Sequence, residues 1–274
     1  MRKNIITLLL ALIAWAILIH NASATGQEGE RLTWNGKSYQ MLTCPLYANP
    51  DMKKWHEQRE REWGKTSLWR GYIGHWEIEN GMLYLCSIWR EKGGDISPNE
   101  IPELRKYCKN GKCAATWFSD TLCVVSGKQV FYEHMGFNRH YEHEDFIIVK
   151  RGKVMSVKRI DNKSIIKGKI DEPDANKKLT QFLDDLGAQL HKRYPEESGR
   201  IIARVQYSNF DLMMMPTDVD VTFLKHAAPT NPQIEKEIKE KLANYILTNQ
   251  FLPLYYINGE IKKVAWALPI RITK

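Results

Sequence analysis

Hydrophobic and polar residues alternate in short runs through the first half of the chain, which is the pattern of half-buried β-strands. In the clearest case Trp76 and Ile78 alternate with glutamates, and an apolar run returns after Asn80-Gly81. Asn-Gly favours a two-residue hairpin because both residues tolerate the positive φ angles of a type I′ turn. Comparable dipeptides separate other strand-like runs: Asn35-Gly36, Ser126-Gly127 and Arg151-Gly152. Residues 28–170 are therefore predicted to form a mainly antiparallel β domain.

Helical spacing replaces the alternation after Asp174. Apolar residues then recur every three or four positions on one face of a helix that runs to about Arg193: Leu179, Phe182, Leu183, Leu186 and Leu190. Asp174 is positioned to cap the N-terminus of this helix. We interpret residues 171–199 as a helix and connector. Two shorter helices are predicted inside the first domain, from Pro50 to Trp63 and from Glu100 to Tyr107.

Strand patterns return from Arg200 to the end of the chain. The predicted elements are two strands, a helix, a turn and a last strand, in this order: Ile201–Tyr207, Val219–Phe223, Ile234–Leu247, Asn258-Gly259 and Ile261–Ile272. Thr230 is placed to cap the helix, and Pro232 falls in its first turn. Residues 200–274 are predicted to form a second, small domain, so the chain as a whole belongs to the α+β class.

The second predicted domain resembles the C-terminal domain of TonB, the periplasmic energy-transducing protein. The resemblance rests on an ordered set of short stretches: Asp220–Lys225, Ile234–Leu247, Phe251-Leu-Pro253, Asn258-Gly259 and Leu268-Pro-Ile270. It implies a helix packed on a small antiparallel sheet. The sequence departs from that family in two ways. Ser208–Thr217 replaces the usual tight hairpin, and the Pro-rich segment that spans the periplasm is absent.

The same resemblance implies a mode of binding. In β-augmentation, an extended peptide pairs with the free backbone groups of an edge strand. The resemblance places that edge on the last strand, from Lys263 to Ile272. The residues expected to contact a partner are Lys263, Val264, Trp266 and Leu268. The same edge would also pair two copies into a homodimer. The expected partner is thus an envelope protein or peptide.

The first 24 residues have the pattern of a secretory signal peptide. Arg2 and Lys3 precede an apolar run from Ile5 to Ile19, and Ala22-Ser23-Ala24 offers the small residues of a cleavage site. The alternative is an uncleaved inner-membrane anchor. The first domain carries segments that resemble an uncharacterised family of exported proteins of Gram-negative bacteria: Trp69-Arg-Gly-Tyr72, Trp76-Glu-Ile78 and Leu83-Tyr-Leu85. We therefore expect a periplasmic or secreted protein.

The five cysteines all lie in the first half of the chain, and an oxidising compartment favours disulfides. Cys108 and Cys113 flank a predicted turn at Asn110-Gly111, so they are the candidate pair. Buried free thiols and a metal site are the alternatives. Because the count is odd, at least one thiol stays unpaired within a monomer.

The formal net charge of +8 adds little to the functional picture. The basic residues occur in separated doublets that are interleaved with acids: Lys177-Lys178, Lys192-Arg193 and Lys262-Lys263. A protein that binds nucleic acid usually concentrates its basic charge on one face. We interpret these doublets as solvated surface and expect no nucleic-acid partner.

Two clusters are candidates for chemistry. His134, His140 and His143 stand among carboxylates and are candidate ligands of a metal in a hydrolase, although their spacing equally suits a solvated loop. Aromatic residues around one arginine form a candidate platform for a sugar or peptide, with core packing as the alternative: Trp69, Arg70, Tyr72 and Trp76.

The leading hypothesis is an exported, non-enzymatic interaction protein that needs no cofactor or metal. No small-molecule substrate can be identified from the sequence. Two alternatives stay open. One is a TonB-type energy transducer for outer-membrane transport whose N-terminal run remains as an anchor. The other is a metal-dependent hydrolase in the first domain.

Overall fold

The computed structural model describes residues 26–61, 64–133 and 135–273. The predicted signal peptide, residues 1–24, lies outside this part of the chain, as does His134. The described chain forms two compact units, the first ending at Ile160 and the second beginning at Asp161. The second unit thus begins earlier than the predicted boundary at residue 171, and it includes the helix that we interpreted as a connector.

Within its described residues, the first unit is built from ten strands and one α-helix. The strands are β1 (Glu30–Trp34), β2 (Lys37–Met41), β3 (Tyr72–Glu79), β4 (Met82–Arg90), β5 (Gly94–Ile96), β6 (Cys108–Lys109), β7 (Lys112–Ala114), β8 (Asp120–Tyr132), β9 (Arg139–Lys150) and β10 (Lys153–Asp161). The helix α1 (Lys53–Arg61) follows a short 3-10 turn at Pro50–Met52. The segment predicted as a second helix forms two 3-10 helices instead, Pro98–Glu100 and Pro102–Tyr107.

Seven of these strands form a barrel-like sheet in the order β10-β9-β8-β2-β1-β3-β4. Neighbouring strands whose residue pairing is described run antiparallel, except that β1 and β3 run parallel. The barrel closes where the tips of two hairpins meet. There the Val154 N–H donates to the Gly81 carbonyl and the Leu83 N–H donates to the Gly152 carbonyl, both at 2.8 Å.

The predicted turns at Asn35-Gly36, Asn80-Gly81 and Arg151-Gly152 are confirmed. In each of them both residues have positive φ, between 49° and 79°, as a type I′ hairpin requires. The predicted turn at Ser126-Gly127 is wrong. Gly127 lies inside the long strand β8, where the pairing with β9 shifts register, so the glycine marks a β-bulge rather than a chain reversal.

The second unit contains two three-stranded sheets and two long helices. Its strands are β11 (Lys163–Ile166), β12 (Gly199–Phe210), β13 (Pro216–Phe223), β14 (Leu254–Ile257), β15 (Glu260–Lys263) and β16 (Trp266–Ile272). Its helices are α2 (Pro173–Arg193) and α3 (Pro232–Asn249), which begin after N-caps at Glu172 and Asn231 rather than at the predicted Asp174 and Thr230. A short 3-10 helix, Lys225–Ala227, precedes α3.

The sheets have the orders β11-β14-β15 and β13-β12-β16. Both helices pack on the second sheet, α2 against β16 and α3 against β13. The predicted apolar faces of the helices lie in one core with the inward residues of the strands: Leu179, Leu183, Leu186, Leu190, Ile234, Ile238, Leu242, Ile246, Val205, Val221, Leu268 and Ile270. The predicted α+β class is therefore confirmed at this level.

The last predicted strand, Ile261–Ile272, is two strands in two sheets. β15 ends at Lys263 and pairs with β14, whereas β16 begins at Trp266 and pairs with β12. Apolar alternation continues through Val264 and Trp266, so the pattern carries no sign of the break. The cause is topological, since the Asn258-Gly259 hairpin holds β15 to β14 before the chain crosses to β12. No helix among the described residues is long and apolar enough to cross a membrane.

The contact between α2 and β16 depends on a glycine. Gly187 is buried, and a Cβ atom at this position would overlap the carbonyl oxygen of Arg271. We expect Gly187→Ala to lower the free energy of unfolding by about 1–3 kcal/mol, because backbone must move to admit the methyl group. Chemical denaturation measures this. The exposed neighbour Gln189→Ala is the control, and a Gly187→Ala protein as stable as that control would contradict the contact.

Candidate functional site

The four residues predicted to contact a partner do not lie along one edge. Lys263 ends β15, Val264 lies in the break between strands, and Trp266 begins β16 with 42% of its surface exposed. Leu268 is buried in the core of the second unit. The predicted single row of contact residues is therefore wrong, because the chain changes sheets between Lys263 and Trp266.

The central strand β12 determines which backbone groups face outward at the two edges of its sheet. The Leu224 N–H donates to the Ile202 carbonyl at 3.1 Å, so Ile202 directs its polar groups toward β13. In an antiparallel sheet this direction alternates from residue to residue. It follows that Ile202 and Pro269, which are paired in register, do not exchange hydrogen bonds.

Pro269 therefore turns its backbone toward the outer edge of β16, together with Ala267 and Arg271. Proline has no N–H, so this edge lacks a donor at its middle position. The Arg271 carbonyl is covered by Gly187 of α2. Of the three outward-facing residues, Pro269 thus lacks a donor and Arg271 has a covered acceptor. Only Ala267 has neither restriction on its outward N–H and C=O.

The outer edge of β13 has no proline at an outward position. Alternation from Leu224 assigns Asp218, Asp220 and Thr222 to the ladder with β12, where they pair with Ser208, Gln206 and Arg204. The residues between them direct their backbone groups outward: Val219, Val221 and Phe223. The Val219 N–H is bonded to the Asp218 carboxylate at 2.7 Å. No backbone partner is found among the described residues for the outward groups of Val221 and Phe223.

A groove of about 570 Å³ runs along this edge, between β13 and α3. Residues from both faces of β13 and from one side of α3 line it, together with neighbours on β12 and the end of β15: Gln206, Ser208, Asp218, Val219, Asp220, Val221, Lys239, Glu240, Ala243 and Lys263. An edge strand beside a helix offers backbone groups for affinity and side chains for selection. Lys263, predicted as a contact residue on β16, lies instead in this groove.

Acidic side chains dominate the open face of the groove. Asp218 and Asp220 are exposed, and Asp220 accepts a hydrogen bond from Gln206 at 3.3 Å. The two lysines of the groove contact groups other than these aspartates. Lys239 pairs with Glu235 at 2.6 Å, and the Nζ atom of Lys263 lies 5.2 Å from the Phe210 ring centre. Neither aspartate has a cationic partner among the described side chains.

The predicted aromatic platform is largely buried. Arg70, Tyr72 and Trp76 lie in the core of the first unit, and only Trp69 is exposed, with 37% of its surface accessible. The rings therefore fill the interior of the barrel-like sheet, which is the core-packing alternative, and they present no continuous face to a ligand. Trp69 instead forms an edge contact with Tyr47 at 5.4 Å between ring centres.

Glu30 is the partner of this buried arginine. Its carboxylate is fully buried, accepts a hydrogen bond from the Trp76 indole, and lies 3.5 Å from the Arg70 guanidinium. Burial raises the pKa of Glu30 to about 6, and this effect exceeds the opposing effects of Arg70, Trp76, the Gly74 N–H and the Cys44 thiol. Sequence reasoning missed Glu30, because a single glutamate at the start of a strand carries no local signal of burial.

The three predicted metal ligands are not brought together within the described residues. His140 pairs with Glu144 at 3.1 Å, and His143 lies three positions further along β9, where it is paired in register with Ser126. His134 lies outside the described residues. No three described His, Cys, Asp or Glu side chains are grouped so that they could hold a metal ion.

The predicted cysteine pair is supported by the geometry. Cys108 and Cys113 face each other across the β6–β7 hairpin, with Cα atoms 3.8 Å apart and sulfurs at disulfide distance. The remaining three, Cys44, Cys86 and Cys123, have free thiols. Burial raises the thiol pKa in each of them, to about 11 at Cys86 and about 12 at Cys123. Such thiols are poor nucleophiles, because the thiolate is the reactive form.

Comparisons of this chain with protein-family models, with curated proteins and with solved structures find no match. Neither of the two resemblances described from the sequence gains support from them.

The backbone geometry of β13 predicts an alternating pattern of hydrogen exchange. The amides of Asp220 and Thr222 donate to β12 and should exchange slowly, whereas those of Val221 and Phe223 face outward and should exchange at least about tenfold faster. Residue-resolved hydrogen exchange measured by NMR tests this, because β13 contains both the amides expected to exchange slowly and those expected to exchange fast. Uniform protection along β13 would mean that its outer edge is already occupied.

The raised pKa of Glu30 predicts a pH dependence of stability. Between its ordinary value of 4.5 and about 6, the folded state binds the proton more tightly than the unfolded state. This stabilisation is complete below pH 4.5 and is lost as pH rises through 6, with a total of about 2 kcal/mol. The difference in unfolding free energy between wild type and Glu30→Gln should change by that amount.

Denaturant titrations at about pH 3.5 and pH 7 span the full change, because the group is protonated in both states at the lower pH and ionised in both at the higher. Glu103→Gln is the matched control, because the Glu103 side chain is exposed. The loss of unfolding free energy caused by Glu30→Gln should therefore vary with pH, and that caused by Glu103→Gln should not. If both were equally constant with pH, the buried carboxylate would not be a source of pH dependence.

Proposed function

We propose that the chain is an exported, non-enzymatic interaction protein whose second unit binds an extended segment of an envelope protein by β-augmentation. The edge that accepts the segment is β13 rather than β16. The added strand lies in the groove between β13 and α3 and exchanges hydrogen bonds with Val221 and Phe223. Export rests on the signal-peptide pattern of residues 1–24.

The observation that carries this proposal is the difference between the two edges of one sheet. The β16 edge has a proline at its middle outward position and a carbonyl under Gly187. Natural proteins use proline and covering elements to prevent edge-to-edge pairing. The β13 edge has neither feature, and a groove runs along it. The sheet is thus protected on one side and open on the other.

Photo-crosslinking in intact cells tests the proposal. A photo-reactive amino acid replaces the exposed Thr222 on β13 in one variant and the exposed Ala267 on β16 in the other. We expect a crosslinked protein adduct from position 222 and none from position 267, because only the β13 edge accepts a strand. Both positions lie on the same sheet, so export and expression are matched between the variants.

The result that contradicts the proposal is equally specific. An adduct from position 267 with none from position 222 would return the binding edge to β16, where the sequence resemblance placed it. The absence of adducts at both positions, with each variant exported and folded, would remove strand addition as the function of this unit.

A further inference from the structure

We infer that the β13 groove selects an extended segment that carries lysine or arginine at alternate positions. This inference rests on the proposed function, since it specifies the partner of the same edge. It starts from the pleat of a sheet, which sends successive side chains of an added strand to opposite faces. One set of partner side chains would lie beside Asp218 and Asp220, and the other set would face α3.

The open face carries two carboxylates that form no ion pair among the described residues. Asp218 and Asp220 are two positions apart on β13, so they stand side by side on the same face. The contacts that their carboxylates make are to the Val219 N–H and the neutral Gln206 amide. Opposite charges on neighbouring strands stabilise a sheet, and like charges destabilise it. Cationic side chains on the added strand therefore fit this face, and acidic ones do not.

The helix side of the groove favours small or apolar side chains. Val219 and Val221 have buried side chains, and Ala243 of α3 packs against the same core. Lys239 stands at one end of this side, where its Nζ atom lies 5.8 Å from the Phe223 ring centre. A partner strand that alternates basic and small apolar residues satisfies both faces at once.

A second β13 strand fits the groove less well than a basic strand does. Two copies of β13 paired antiparallel about Val219 place Asp218 opposite Asp220, and pairing about Asp220 places that residue opposite itself. Pairing about Val221 avoids this, because it places Asp220 opposite Thr222, but it brings no cation to either aspartate. A basic chain supplies cations in every register that adds a strand to this edge, so charge complementarity favours it over a symmetric homodimer.

Two synthetic peptides provide the test, one of four Lys-Val repeats and the other of four Glu-Val repeats, both with blocked termini. They are titrated into isotope-labelled protein purified after export, and amide shifts and exchange rates report binding. We expect the Lys peptide to protect Val221 and Phe223 and to bind about tenfold more tightly than the Glu peptide at low salt. The difference should shrink as salt is added.

A pair of double variants isolates the role of the aspartates. Asp218→Asn with Asp220→Asn should remove most of the preference for the Lys peptide. Asp184→Asn with Asp185→Asn, on the exposed face of α2, changes the net charge equally and should leave the preference intact. Equal losses in the two double variants would mean that the preference is a general charge effect, which overturns the inference.

The outcomes separate this inference from the proposed function. Equal protection of Val221 and Phe223 by both peptides would overturn the charge preference and leave strand addition at β13 supported. Protection by neither peptide, together with crosslinks from position 222 in cells, would also overturn the charge preference and leave strand addition at β13 supported. Protection of Ala267 in place of Val221 and Phe223 would overturn both.

Discussion

The arrangement of the second unit depends on the hydrogen bonds of β12. Each residue of this central strand can give its N–H and C=O to one neighbour only, so the strand bonds to β13 and β16 in alternation. The bond between Leu224 and Ile202 determines which residues of β12 bond to β13 and which bond to β16. The residues that face outward at the two edges follow from this assignment. The two edges differ in the backbone groups that they leave free for another chain.

The two helices make the edges more unequal. α2 approaches β16 closely because Gly187 has no side chain, and it thereby lies over the Arg271 carbonyl. α3 packs against β13 with longer side chains at its margin, among them Lys239 and Glu240, and a groove remains beside the strand. The same requirement, to bury the apolar face of each helix on the sheet, closes one edge and leaves the other accessible.

Local chemistry made much of this fold predictable. The Asn-Gly turns and the helix faces of α2 and α3 could be predicted because their causes lie within a few residues. The break after Lys263 could not, since it depends on which strand each half pairs with. The burial of Arg70 could not be predicted for the same reason. Its partner Glu30 is distant in sequence, and only the closed sheet brings the two residues together. Of the candidate site, the sequence identified Lys263, which lines the groove beside β13. Strand addition stays a prediction. The resemblance placed its edge on β16 because a resemblance carries no information about Gly187.

The first unit owes its closure to two hairpin tips. The turn at Asn80-Gly81 and the turn at Arg151-Gly152 each supply a carbonyl that accepts an N–H from the strand after the other turn. Hairpin tips ordinarily tolerate inserted residues, which makes them common sites for grafted loops and affinity tags. In this protein a graft at either tip would break the hydrogen bonds that close the barrel. The turn at Asn35-Gly36 is the better site for an insertion, because a side chain on its glycine would meet open space.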